Sequence, residues 1–259
     1  MKKLILTCAC LLFIGTGYVV ISKPFSRKST TILKPADATK PTATPVKTNP
    51  APSFDKSQYS ITEPASIWFV NNKVTGLPIS YVPSDLYVPA VSLRLAASDE
   101  QMHMRKVLQP QLEQLFADAK TAGLQLQLGS GYRSASYQKV LYDGYIKSMG
   151  QAEADRSSAR PGHSEHQTGM ALDFTRTDSK CHLQSCFGDL PEGKWLEQNA
   201  FKYGFILRYT SDKEKVTGYM YEPWHFRYVG IALATEMHTK GIKTLEEFFG
   251  LPAAPDYSN

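Results

Sequence analysis

One residue limits the folds open to this chain more than any other. Asp173 lies in the stretch SEHQTGMALDF, 164–174, between Met170, Ala171 and Leu172 on one side and Phe174 on the other. Such an apolar run reads as a buried strand over 170–174. A carboxylate inside it is costly unless it is paired or holds a metal. The fold must therefore bring Asp173 a partner. His166 stands seven positions earlier, with Gly169 allowing a turn between them. That spacing suits a loop residue followed by a strand residue, not two residues on one helix face. Alone, the stretch leaves two readings open: a pair of metal ligands, or a carboxylate accepting backbone amides beside a histidine that caps a turn.

A second stretch, GYMYEPWHFRYVG at 218–230, places Glu222 and His225 three apart among Tyr221, Trp224, Phe226 and Tyr228. It reads as a strand over 218–229 broken at Pro223. Residues three apart on a regular strand face opposite sides, so only the break at proline lets both side chains reach one site. Here too an aromatic core strand with a satisfied histidine and a surface glutamate is an open reading. Taken together, the two stretches are more specific. Two imidazoles and a carboxylate with a fourth position open form a catalytic zinc set, and a further carboxylate beside it serves hydrolysis. The same ligand types bind non-haem iron, but the close H-x-D/E pair typical of those sites is absent. Of the other histidines, His103 and His238 are expected on helix surfaces and His182 in a structural loop, and His163 is unassigned.

The net charge of +5 hides an uneven distribution. Residues 1–50 hold eight Lys/Arg against Asp37 alone, or +7, which leaves −2 for the remaining 209. The globular part is mildly acidic, so no nucleic-acid groove is indicated; the basic arm suits anionic lipid or wall polymers. Leu4–Ser22 contains no charge in 19 positions and follows two lysines. This fits a membrane anchor or an export signal, and in either case the protein is expected to be exported to the cell envelope. In an exported chain, Cys181 and Cys186 in CHLQSC are expected to form a short disulfide. Residues 23–60, rich in proline, threonine and lysine, read as a tether. The domain is expected over 61–252, followed by a tail, 253–259.

Within that domain a helix is expected from Leu108 to Ala119 despite Pro110, a strand at LQLQL, 124–128, and then a turn, GSGYRS. A helix over 135–148, a helix over 195–203, a strand at FILRY and a closing helix over 230–239 follow. Helices and strands mix without regular βαβ alternation, which predicts an α+β domain: a small, mainly antiparallel sheet flanked by helices, with the site on the sheet face.

SxHxxGxxxD (Ser164, His166, Gly169, Asp173) and ExxH (Glu222, His225), preceded by SGYRS at 130–134, resemble the zinc D,D-carboxypeptidases of the VanY type. These group with the L,D-carboxypeptidases of the LdcB type among the peptidoglycan peptidases. The likeness covers roughly residues 66–250. It implies one zinc ion on His166, Asp173 and His225, with Glu222 as general base and then general acid. It also implies that Arg133, which would otherwise read as a solvated loop arginine, faces the oxyanion or the substrate. Gln138 and Ser164 match positions that grip the terminal D-alanine, and Trp224 walls the pocket or belongs to the core. The implied partner is a peptidoglycan stem peptide, cut by a monomer. Removal of D-alanine from a pentapeptide is favoured over removal from a tetrapeptide. A non-catalytic wall-binding module that keeps the fold is the reading from another class.

Overall fold

The strand around Asp173 forms, and the sheet is built on it. In the computed structural model, which describes residues 54–257, β4 (Ala171–Arg176) lies between β3 (Leu126–Ser130) and β6 (His225–Tyr228). The strand β5 (Phe205–Leu207) pairs with the other side of β6, giving the order β3-β4-β6-β5 with antiparallel pairing throughout. Ala171 to Thr175 are all buried, so the central strand is covered on both faces.

Helices supply the cover. α1 (Gln109–Thr121) turns Leu112, Leu115, Phe116 and Ala119 into a core that includes Leu126, Leu128, Phe174 and Phe226. Its Pro110 falls in the first turn, where a missing N–H breaks no helical hydrogen bond. α2 (Ala135–Met149) is capped by Ser134, whose hydroxyl accepts from the Tyr137 amide. α3 (Gln151–Ser157), α4 (Pro191–Asn199) and the single-turn α5 (Glu214–Thr217) follow. α6 (Ile231–Lys240) and α7 (Leu245–Phe249) bury a second cluster built on Trp68, Ile206, Leu233, Met237 and Phe248. Two short strands, β1 (Leu86–Tyr87) and β2 (Met104–Arg105), form a separate ribbon. The domain is α+β, an antiparallel sheet flanked by helices.

Three expectations are corrected. The strand expected at LQLQL, 124–128, is shifted: β3 starts at Leu126 and runs into the expected turn as far as Ser130, which pairs with Asp173 beyond a bulge after Leu128. The aromatic stretch 218–229 is strand only over its last part, since residues 222–225 form a β-turn with Pro223 at its second position. The helix over 230–239 does not close the fold, because α7 follows it.

The expected membrane-directed segment, 1–22, and the tether as far as residue 53 lie outside the described residues. Among the described residues no helix is long and apolar enough to cross a membrane. Phe54 packs against Trp68 and Phe248. At the other end Ala254 is buried, and the Tyr257 hydroxyl accepts from the Arg160 amide.

Candidate metal centre

Strand register assembles the site. Ser130 on β3, Asp173 on β4 and His225 on β6 are cross-strand partners, so the three side chains stand in one row across the sheet. His166 arrives from a 3₁₀ turn, Glu165–Thr168, just before β4. Gly169 ends that turn at φ 66°, and a Cβ there would come within 2.9 Å of Arg105 Cγ. Glycine is therefore what lets the chain reverse and enter β4. His166 Nδ1 lies 2.6 Å from the Gly131 carbonyl. A carbonyl only accepts, so Nδ1 carries the proton and Nε2 presents a lone pair. Gly131 approaches so closely that a Cβ would sit 2.5 Å from the His103 carbonyl.

His166 Nε2 is 3.4 Å from Asp173 Oδ1, which is 3.3 Å from His225 Nδ1. The donor atoms of the three residues lie within 4.8 Å of one another. His166 Nε2 and Asp173 Oδ1 are buried without a hydrogen-bond partner. Orphaned buried acceptors of this kind are rare in folded proteins, and a divalent cation at their centre would satisfy them. Two nitrogens and one carboxylate oxygen suit zinc with a position to spare. Ser130 Oγ donates to Asp173 Oδ2, so the other carboxylate oxygen is already engaged.

The turn from Glu222 to His225 is closed by the His225 amide donating to the Glu222 carbonyl at 3.0 Å. It brings Glu222 Oε2 within 3.8 Å of His225 Nδ1. Burial raises the Glu222 carboxyl to about 7, against the pull of His225. Burial, with Arg133 next, lowers His166 to about 4. Burial also works to lower His225, but Asp173 and Glu165 outweigh it and raise the imidazole to about 9. Asp173 is held well below the usual carboxylate range despite its burial, first by His166. The centre thus attracts positive charge between its carboxylates and keeps one carboxyl able to exchange a proton near neutrality.

A buried ionic cluster that is not evident from the sequence lies behind this centre. Glu165 Oε2 takes His225 Nε2 at 3.3 Å, and its Oε1 accepts from Arg208 Nε at 2.9 Å and Arg227 Nη1 at 3.1 Å. Arg208 forks onto Glu246 at 2.9 and 2.7 Å, and Asn72 donates to the same carboxylate. Arg227 also donates to the Phe69 carbonyl. Glu165 therefore orients His225 from its far nitrogen, as carboxylates commonly do behind metal-bound histidines. The signal was present as an acidic residue beside His166, but its partners are 43 and 62 positions away.

Burial works to raise Glu246, and Arg208 more than reverses this, leaving the carboxyl below its ordinary value. A depressed acid contributes stability above its unfolded pKa of 4.5, and that stability is lost as pH falls through the folded value. We expect the melting temperature of the protein to fall on acidification below about pH 4.5, and to fall less steeply in Glu246→Gln. Thermal melts across that range measure both slopes.

The centre opens into a cavity of about 270 Å³, with Arg133, Gln138, Ser164, Glu222 and Trp224 in its lining. Arg133 Nη2 is 4.0 Å from Asp173 Oδ2, and its Nε is buried without a partner. Gln138 is pinned by its amide nitrogen to Ser158 Oγ and the Ala159 carbonyl, while its Oε1 is buried and unpartnered. The Ser164 carbonyl accepts from Asn71. Trp224 both lines the cavity and joins the main core. His163 lies outside this lining, bonded through Nδ1 to the Asn72 carbonyl. His182 bonds to Thr175, His103 to the Asp99 carbonyl, and His238 stacks on Phe201.

Residues 101–231 match the family model described as VanY, D-alanyl-D-alanine carboxypeptidase. A putative carboxypeptidase of Bacillus subtilis, YodJ, is 41% identical over 190 residues, which is 73% of this chain and 69% of that protein. Among solved structures, the LdcB LD-carboxypeptidase superposes with a TM-score of 0.68 at 41% identity, covering 72% of this chain and 87% of that one. A mutant vancomycin-resistance D,D-pentapeptidase VanY, solved with Zn(II), superposes at 0.58 with 31% identity, covering 72% and 99%. On the extent of both matches, the chain belongs to the VanY family of D-alanyl-D-alanine carboxypeptidases.

Proposed function

We propose that the protein is a zinc-dependent carboxypeptidase that removes the C-terminal D-alanine from peptidoglycan stem peptides. The observation that carries this reading is the pair of buried, partnerless acceptors, His166 Nε2 and Asp173 Oδ1, facing His225 Nδ1 with Glu222 alongside. His166, Asp173 and His225 would hold one zinc ion. When bound, it supplies Lewis acidity and lowers the pKa of its water to about 7.

The chain's own groups do the rest. Glu222, whose Oε2 stands 3.8 Å from His225 Nδ1, would take a proton from the attacking water and return it to the leaving amine, and its burial, which favours the protonated carboxyl, suits the second transfer. Arg133 brings a guanidinium to the cavity wall, where it stabilises negative charge on the scissile carbonyl oxygen. The free Gln138 Oε1 is an acceptor for a substrate N–H, and Ser164 is part of the same cavity lining. Glu165 holds the His225 ring from Nε2.

The pentapeptide is the favoured substrate. The tetrapeptide is the second reading, supported by the higher TM-score to the LdcB LD-carboxypeptidase. Delivery to the cell envelope by the segment 1–22, and action as a monomer, complete the proposal. No side chain forms an acyl-enzyme in this chemistry. D-alanine release from a stem peptide is therefore expected to stop with a zinc chelator and to continue with a β-lactam that acylates serine enzymes. Inhibition by the β-lactam with indifference to the chelator would reverse the assignment. A wall-binding module would release no D-alanine at all.

A further inference from the structure

Cys181 and Cys186 are joined, with Cα atoms 5.6 Å apart, and they close a turn in the loop after β4. Leu183, inside that turn, lines the same cavity as His166, Asp173 and His225 while remaining 41% exposed. The turn's backbone is unusual: Ser179, Cys181 and Leu183 stand at φ 57°, 56° and 49°, left-handed values that side chains other than glycine rarely adopt. Such conformations persist only where the surroundings over-determine them. Here the disulfide closes the turn and Phe187 is fully buried just after it. His182 Nδ1 lies 3.1 Å from Thr175 Oγ1, which ties the turn to β4 two residues from Asp173. Leu183 is therefore held at a set position relative to the centre.

On α2, Gln138, Tyr145 and Met149 all line the cavity. At ~1.5 Å per residue, Tyr145 and Met149 lie roughly 10 and 16 Å along the helix from Gln138. With Leu183 and Met220 they give the lining a mainly apolar part. The carboxylates that line the cavity, Glu165, Asp173 and Glu222, are all buried at the centre with histidine or arginine neighbours. Among the described lining residues, none offers a carboxylate for an ammonium group away from that centre.

We propose that the disulfide-closed turn carrying Leu183 is a specificity wall. It favours peptides with a small residue on the acyl side of the scissile bond, as in a D-Ala-D-Ala end. It disfavours those in which a long, amine-bearing residue precedes the terminal D-alanine. The proposal rests on the carboxypeptidase reading above. Leu183 presents the wall, and the Cys181–Cys186 bond is a positioning element.

The test compares D-alanine release from pentapeptide and tetrapeptide stems by zinc-loaded wild-type protein, Leu183→Gly and the double variant Cys181→Ser/Cys186→Ser. Glycine suits the φ of 49° at position 183, so that variant is expected to fold. Removing a hydrophobic wall of this size is expected to raise the tetrapeptide-to-pentapeptide ratio of kcat/KM by about tenfold or more. The change should appear chiefly in KM, with zinc content unchanged. The double variant, and wild-type protein treated with reductant, should shift the same ratio in the same direction. An unchanged ratio in folded, zinc-loaded Leu183→Gly overturns the wall. Release from neither stem by wild-type protein overturns the carboxypeptidase reading and the wall with it.

Discussion

Glu222→Gln is expected to lower kcat for D-alanine release by about 10²–10⁴-fold while the protein still binds one zinc ion. The amide keeps the size and most of the hydrogen bonding of the carboxylate, but it cannot take a proton. Glu222 stands 3.8 Å from His225 Nδ1, outside the His166–Asp173–His225 set, so its loss leaves all three metal donors in place. Its burial raises the carboxyl above its ordinary value, which favours return of the proton to the leaving group. The same substitution should therefore remove the pH dependence that this group gives to kcat/KM. Steady-state kinetics with metal analysis of the same sample decide the matter. Turnover at the wild-type level would take Glu222 out of the chemistry, and loss of zinc together with activity would make it a ligand.

Glu165→Gln is expected to weaken both the fold and the metal site. The glutamate is fully buried, and its carboxylate answers Arg208, Arg227 and His225 at once. Arg208 retains Glu246 after the change, but Arg227 is left with only backbone carbonyls. Removing one partner of such a cluster typically costs about 3–5 kcal/mol, because a buried charge is left uncompensated. His225 would also lose the group that fixes its ring from Nε2, and a loss of this kind weakens metal binding by about 10–100-fold. Urea unfolding and zinc titration measure the two effects separately. A stability change below about 1 kcal/mol would mean that the cluster fills space and bears no charge balance. If charge imbalance is the cause, Arg227→Met in the same background should return part of the lost stability.

The sequence reveals this site unevenly, for physical reasons. Asp173, Glu222 and His225 attract notice because each is a polar group among apolar or aromatic neighbours, where an unpaired charge is expensive, and His166, itself in the polar run SEHQTG, through its spacing from Asp173 across Gly169. The structure brings all four together, and Arg133, Gln138 and Ser164 line the same cavity. The ionic cluster gave no comparable signal. Arg208 and Arg227 lie in strand-like stretches as ordinary surface cations would, and only tertiary pairing buries them against Glu165 and Glu246. The 218–229 stretch is legible only in part: the break expected at Pro223 is present, but the residues before it are not strand. Its alternating aromatics imitate a strand, while Pro223 makes a turn, and it is the turn that puts Glu222 and His225 on one side. The longer helices α1, α2, α4 and α6 were legible from their 3.6-residue spacing, with α4 at Pro191–Asn199 and only a 3₁₀ turn over the rest of the expected 195–203. The short α3, α5 and α7 were not, nor was the end of β3, because its last pair is polar and depends on Asp173 across the sheet.

One metal ion held by His166, Asp173 and His225 is expected to be required for D-alanine release. The most direct measurement strips the purified protein of metal and follows D-alanine release from a pentapeptide stem as zinc is returned. No release is expected from the stripped protein, followed by a rise that saturates at one zinc per chain. No such rise is expected in Asp173→Ala. Release that persists after stripping, or a stripped protein that zinc cannot restore while wild-type protein is active, would contradict this requirement.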